Sequence, residues 1–365
     1  MEKKLLVDIL SQFSDLDINK LNDVYFENIC QGHINDTMLV KLDNKKYILQ
    51  KINTKTFANV EGLMNNIRLV SEYINSLDKH SIILQELIKT QDGKYYLQHQ
   101  SGVYRLYNYV EGVCYQQIET SEQFYYSGVA FGSFAKELDQ FDSTMLVEII
   151  KNFHNTEDRL NKFLKVLSED KHDRVANAID EVNFVLNRQS FVSEIIDKLN
   201  SGEIPYRVTH NDTKLNNVVL DKNTNHPIAI IDLDTIMPGS LCYDFGDSIR
   251  YGCNTAAEDE ENLDLVHFDI DLFKAYAEGY LSVTYDIITK SELDNLVKGA
   301  WMMTFECGMR FLTDYLDGDN YFKVSKDKHN LFRARTQFKL VSEIEENIEK
   351  LNMIIKEVYS KYSNK

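Results

Sequence analysis

The chain has 365 residues, with 57 Asp and Glu against 40 Lys and Arg, a formal net charge of −17. So acidic a chain repels the phosphates of nucleic acid and of anionic membranes, and neither is expected as a partner. With 43% apolar residues and 21 tyrosines, but no apolar run near the ~20 residues that span a bilayer, the sequence reads as globular and long enough for two lobes.

Five cysteines (Cys30, Cys114, Cys242, Cys253 and Cys307) are an odd number without C-x-x-C spacing. That argues against a disulfide framework or zinc site and for a reducing cytoplasm. Charges at Glu2, Lys3, Lys4 and Asp8 leave no apolar segment for a signal peptide.

In chain order, residues 37–42 and 46–52 are strand-like, and Asp43-Asn44 between them favours a hairpin turn. Apolar residues at Val60, Leu63, Met64, Ile67, Val70 and Ile74 predict a helix over 58–77. Strand-like material follows at 81–88 and 95–110. Helical patterns then recur at 120–141, 143–167, 171–200, 265–281, 291–316 and 330–360. A β-like island from Val208 to Leu233 interrupts them, with strands at Val218–Leu220 and Ile228–Leu233. Pro205, Pro227 and Pro238 all fall in or beside it, and proline suits fixed, irregular backbone.

The island holds His210-Asn211-Asp212-Thr213-Lys214-Leu215-Asn216-Asn217, then Ile231-Asp232-Leu233-Asp234. This is H-x-D-x-x-x-x-N followed by an acid at the end of an apolar strand. The pattern resembles the catalytic and metal loops of the aminoglycoside phosphotransferase and choline kinase superfamily, which shares the protein-kinase fold. The resemblance implies an α+β, bilobal, protein-kinase-like fold. Residues 1–107 would form a β-rich lobe covering the nucleotide, and residues 108–365 a larger, mainly helical lobe for catalysis and substrate. Phosphoryl transfer asks mainly for positioning and charge neutralisation. Asp212 would receive or orient the hydroxyl proton, Asp232 and Asn217 would hold Mg²⁺ against the phosphates of ATP, and His210 would brace the loop. Asp244 and Asp247 read as structural caps.

Further blocks are similar to the N-acetylhexosamine 1-kinase family: Gly32-His33-Ile34-Asn35, Ala130-Phe131-Gly132, Phe153-His154-Asn155-Thr156, residues 210–260, and Glu306 to Leu312. That family phosphorylates the anomeric hydroxyl of N-acetylglucosamine or N-acetylgalactosamine with ATP. It implies a small-molecule sugar substrate, a cytoplasmic salvage role and no obligate protein partner.

On the nucleotide side, Gly32 lies in a loop before the first hairpin strand, but there is no G-x-G-x-x-G and no Walker A motif. Aligning Tyr47-Ile48-Leu49-Gln50 to the kinase V-A-I-K places Gln50 in the lysine slot. Lys51 then faces the other side unless a bulge re-aims it, and Glu61 stands as a possible partner for it. The segment 105–112, with Tyr107 and Tyr109, is by resemblance the hinge whose backbone meets adenine. On the substrate side the resemblance points to Arg310 and Tyr321, with Asp234 and His33 as further candidates beside Asp212. Glu306, Arg310 and Asp314 alternatively form a solvated ion-pair ladder. Two other functions stand beside the sugar kinase: a kinase for another alcohol such as choline or an aminoglycoside, and a nucleotide-binding pseudokinase.

Overall fold

The computed structural model describes residues 2–29 and 34–364. Helix α1 (Lys3–Leu10) leads into strands β1 (Tyr25–Ile29), β2 (Asp36–Leu42) and β3 (Lys45–Ile52), followed by α2 (Val60–Ser76). Leu42 pairs with Lys45, so Asp43-Asn44 is a two-residue turn, and Asp43 takes the left-handed φ of 53° that such a turn requires. Strands β4 (Ile83–Leu84), β5 (Leu87–Ile88), β6 (Leu97–His99) and β7 (Gly102–Asn108) come next. The sheet runs β1-β2-β3-β7-β5, with β6 also on β7.

Strand alternation sorts this sheet into two faces. Met38, Val40, Leu49 and Leu106 pack with Leu6, Ile9 and Phe13 on the α1 side. Ile52 and Val103 pack with Leu63, Met64 and Ile67 of α2 on the other. The α2 stripe foreseen from spacing is therefore a buried one, and the helix starts where the Asn59 side chain accepts the Gly62 N–H at 3.0 Å.

The rest of the chain is mostly helical: α3 (Ser121–Glu137), α4 (Thr156–Glu169), α5 (Ile179–Leu186), α6 (Glu194–Asn200), α7 (Leu241–Gly252), α8 (Ile270–Thr284), α9 (Lys290–Leu316), α10 (His329–Glu346) and α11 (Ile348–Ser363). Between α6 and α7 lies the island: β8 (Arg207–Thr209), β9 (Val218–Leu220), β10 (Pro227–Ile230) and β11 (Met237–Gly239). β11 pairs with β8, and β10 with β9. β4 joins β10 in parallel rather than the first sheet, tying the early part of the chain to the island. Helices α7 and α9 cross with their backbones touching. A Cβ on Gly246 would stand 2.3 Å from the Gly299 oxygen, and one on Gly299 2.0 Å from that of Cys242. This contact fixes α7, which holds the loop described next.

Candidate active site

The loop after β8 is held from below by α7. Buried Asp244 accepts the backbone N–H groups of His210 (2.8 Å) and Asn211 (2.7 Å). Asp247 accepts that of Thr213 at 3.1 Å and pairs with Arg250 at 2.9 Å. Asn211 adopts a left-handed φ of 63°, secured by its amide donating to the Thr235 carbonyl at 2.8 Å. His210 is fully buried. Its Nε2 lies 3.1 Å from the Ile231 carbonyl, and its Nδ1 accepts the Asp212 N–H at 3.3 Å. Those two bonds call for the neutral Nε2–H tautomer, and burial pulls the imidazole pKa down in the same direction. The bracing expected of His210, Asp244 and Asp247 is thus present.

The loop brings Asp212 and Asn217 together. The Asn217 amide donates to the Asp212 carboxylate at 3.0 Å and to its backbone carbonyl at 2.8 Å. Lys214 reaches the other carboxylate oxygen at 2.8 Å. Burial alone would raise the Asp212 pKa. The Lys214 charge and hydrogen bond, with the Asn217 hydrogen bond, overcome it and hold the carboxylate well below its usual range. Lys214 was not foreseen as a site residue. Its one signal is its place two residues after Asp212 in extended chain, where side chains share a face.

Asp232 is tied to this loop through its neighbour: the Ile231 N–H donates to the Asn217 carbonyl at 3.0 Å, and the Ile231 carbonyl receives His210. The left-handed φ of 59° at Asp232 turns the chain sharply after β10. Asp232 is exposed as a residue, and its carboxylate makes no hydrogen bond or ion pair among the described residues. Surrounding protein, then the charges of Asp234 and Asp212, push its pKa upward. Asn217 spends its NH₂ on Asp212 and leaves its Oδ1 without a protein donor among the described residues. A crowded free carboxylate beside a free amide oxygen suits a hard divalent cation such as Mg²⁺. Among the described residues no group of three or more His, Cys, Asp or Glu forms a metal cage.

The nucleotide-side candidates fall into two groups. Gly32 and His33 lie outside the described residues. Gln50 lies on β3 without a bulge: Gln50 pairs with Arg105 and Lys51 with Tyr104 in unbroken register. Lys51 therefore stays on the opposite face, its stem lying across Gly102, and Glu61 is exposed with no ion pair among the described residues. Gln50 is engaged within the sheet, accepting from Arg105 Nε at 2.9 Å and donating to Thr37 at 3.1 Å. Tyr107 is buried, with Arg105 5.2 Å from its ring centroid. Tyr109 carries Lys46 at 5.0 Å over its ring and gives its N–H to the Lys46 carbonyl.

Asp234, a substrate candidate, is engaged within the protein. It is 3% exposed, with one oxygen in an ion pair and the other in a hydrogen bond. One meets Arg105 Nη1 at 2.5 Å and the other accepts from Asn35 at 2.6 Å. It ties the first sheet to the metal loop. Arg105 and Asn35 were likewise not foreseen. Arg105 is one charge in an apolar strand, and nothing local in sequence connects it to a residue so far along the chain.

On α9 the solvated ladder does not form. Glu306 is buried and accepts from Thr156 at 2.7 Å, with His154 at 3.3 Å. His154 in turn reaches the Asn211 carbonyl at 3.3 Å, so this helix face abuts the catalytic loop. Asp314 is buried and accepts the N–H groups of Asn320, Tyr321 and Phe322 at 2.8–3.0 Å. Arg310 lies between them with no ion pair among the described residues, its guanidinium 5.5 Å from the Phe322 ring and 5.9 Å from that of Tyr321. Tyr321 is 66% exposed.

This architecture has known counterparts. Residues 26–283 match the model of the Phosphotransferase enzyme family, and the chain belongs to that family. Among solved structures, a microcompartment-associated aminopropanol kinase superposes with a TM-score of 0.61 at 13% identity, covering 96% of this chain and 99% of that one. A spectinomycin phosphotransferase, determined with ADP and spectinomycin, gives 0.56 at 14% identity, covering 95% and 98%. A choline kinase from Cryptosporidium parvum gives 0.57 at 12% identity, covering 98% and 99%. The fold is protein-kinase-like, with an antiparallel sheet in the N-terminal region and a mostly helical C-terminal region, and the chain is a small-molecule phosphotransferase of this family.

Proposed function

We propose that the chain phosphorylates the anomeric hydroxyl of N-acetylhexosamines with ATP, yielding the sugar 1-phosphate. In this reading the lobes divide near Tyr107 and Asn108. The observation that carries the phosphotransferase chemistry is the Asp212–Asn217 pair, joined through Ile231 to the free carboxylate of Asp232. Asp212 accepts the hydrogen bond of the sugar hydroxyl and aims its oxygen at the γ-phosphate. A carboxylate held ionised by Lys214 is a weak base, which suits a loose transition state in which the proton leaves late. Asn217 Oδ1 and Asp232 would hold Mg²⁺, which when bound neutralises phosphate charge. Keeping all three side chains favours catalysis over a scaffold role.

The sugar assignment draws on the sequence blocks similar to N-acetylhexosamine 1-kinases and on Arg310. A guanidinium 5.5 and 5.9 Å from the Phe322 and Tyr321 ring centroids, without a carboxylate partner among the described residues, keeps its planar donors for sugar hydroxyls or an amide carbonyl. The same cation disfavours choline or an aminoglycoside in that place. The test is to offer Mg-ATP with N-acetylglucosamine, N-acetylgalactosamine, choline and kanamycin. Transfer to a sugar anomeric oxygen is the expected result, transfer to choline or kanamycin alone overturns the sugar assignment, and nucleotide binding without turnover leaves a pseudokinase.

A further inference from the structure

Strand β3 lacks its lysine: Gln50 occupies the slot, and the unbroken β2-β3-β7 register denies Lys51 access to that face. The same register places Arg105 directly across from Gln50, on the face that meets α2 and the island. Its guanidinium is 0% exposed. Nε donates to Gln50 at 2.9 Å and Nη1 meets Asp234 at 2.5 Å, whereas Nη2 has no partner among the described residues. A buried charged donor left unpaired is costly and calls for a reason. In a chain of net charge −17, a polyphosphate site needs a fixed local cation. The neighbouring cation, Lys214, is already committed to Asp212.

We propose that Arg105 supplies the cation that β3 lacks: Nη2 donates to a phosphate oxygen of the nucleotide, while Nη1 holds Asp234 and with it the loop carrying Asp232. Asn35, bonded to the other oxygen of Asp234, ties the segment after Gly32 to the same hub. The proposal rests on the kinase reading above, and its test is chosen to separate the two.

The full chain is titrated with ADP and with adenosine in the presence of a chelator, as wild type, Arg105→Met, Arg105→Lys and the double variant Arg105→Met with Asp234→Asn. A phosphate contact predicts that Arg105→Met loses roughly tenfold or more in ADP affinity, with adenosine affinity little changed, and that Arg105→Lys recovers part of the loss. The double variant removes the carboxylate that the single one strands, so selective loss of ADP there cannot come from misfolding around Asp234. Equal losses for ADP and adenosine, or an unchanged ADP affinity, overturn the proposal while leaving a wild type that turns over as a kinase. A wild type that binds neither ligand, with or without Mg²⁺, and transfers no phosphate from Mg-ATP overturns both readings.

Discussion

Arg310 and His210 lend themselves to single-residue tests. Removing a guanidinium that meets only the ground-state sugar weakens binding without touching the reacting atoms. Arg310→Ala should therefore raise KM for the sugar roughly tenfold, as expected for a hydrogen bond to a charged group, and leave kcat near wild type; an unchanged KM would remove Arg310 from the substrate. Burial holds the His210 imidazole below its ordinary value of 6.5. Below that value the unfolded chain takes up a proton that the folded chain refuses, so stability falls as pH drops through it. His210→Gln has no such proton, so the Tm gap between wild type and variant should narrow from about pH 7.5 to about pH 5.5; a gap independent of pH contradicts the neutral, buried assignment. The gathering of His210, Asp212 and Asn217 in one loop, with Asp232 tied to it through Ile231, was legible because it depends on short spacings within one loop and one turn. Lys214, Arg105 and Asn35 were not, since their significance comes from pairing across strands or between distant segments. The burial of Asp234 was not legible either: the left-handed turn at Asp232 ends the strand direction, and Asp234 lies inside the protein.

Besides its apolar face, α2 meets the helical half through a buried polar side chain. Buried Asn66 donates to the carbonyls of Val147 (2.8 Å) and Ile236 (2.9 Å) and accepts the Val147 N–H at 3.0 Å. Asn66→Ala strands all three backbone groups and should cost about 2–3 kcal/mol in denaturant unfolding; a loss under about 0.5 kcal/mol would mean that water or rearrangement replaces the bonds. Long amphipathic helices and the hairpin were readable because their periodicity or turn chemistry is local. α2 and α9 fall within two residues of the expected spans at each end. The expected helix over 143–167 begins only at Thr156, where Asn155 caps it by accepting the Asp158 N–H. The one over 171–200 is split between α5 and α6 by a short 3₁₀ turn at Gln189–Phe191. α10 and α11 are separated at Asn347. In each case apolar spacing continues through a break that capping and tertiary packing impose. The departure of β4 to the island sheet was invisible for another reason, because two residues carry no register information.

Across the whole molecule, the acidic balance makes the divalent cation decisive. In the proposed reaction ATP meets a chain of net charge −17, and the pair proposed to hold the metal offers Asp232 and the Asn217 oxygen. Chelation of Mg²⁺ should abolish turnover reversibly, and full turnover in excess chelator would contradict the site. The Arg105–Asp234–Asn35 hub and Asn66 are contacts through which the first sheet and α2 meet the island. The central claim is that Asp212 aims a sugar hydroxyl at the γ-phosphate. The most direct measurement is ³¹P NMR of Mg-ATP and N-acetylglucosamine incubated with wild type and with Asp212→Asn. The expected result is an anomeric phosphate signal from wild type and a rate lower by about 100- to 10,000-fold in the variant. Near-normal turnover by Asp212→Asn would contradict the account.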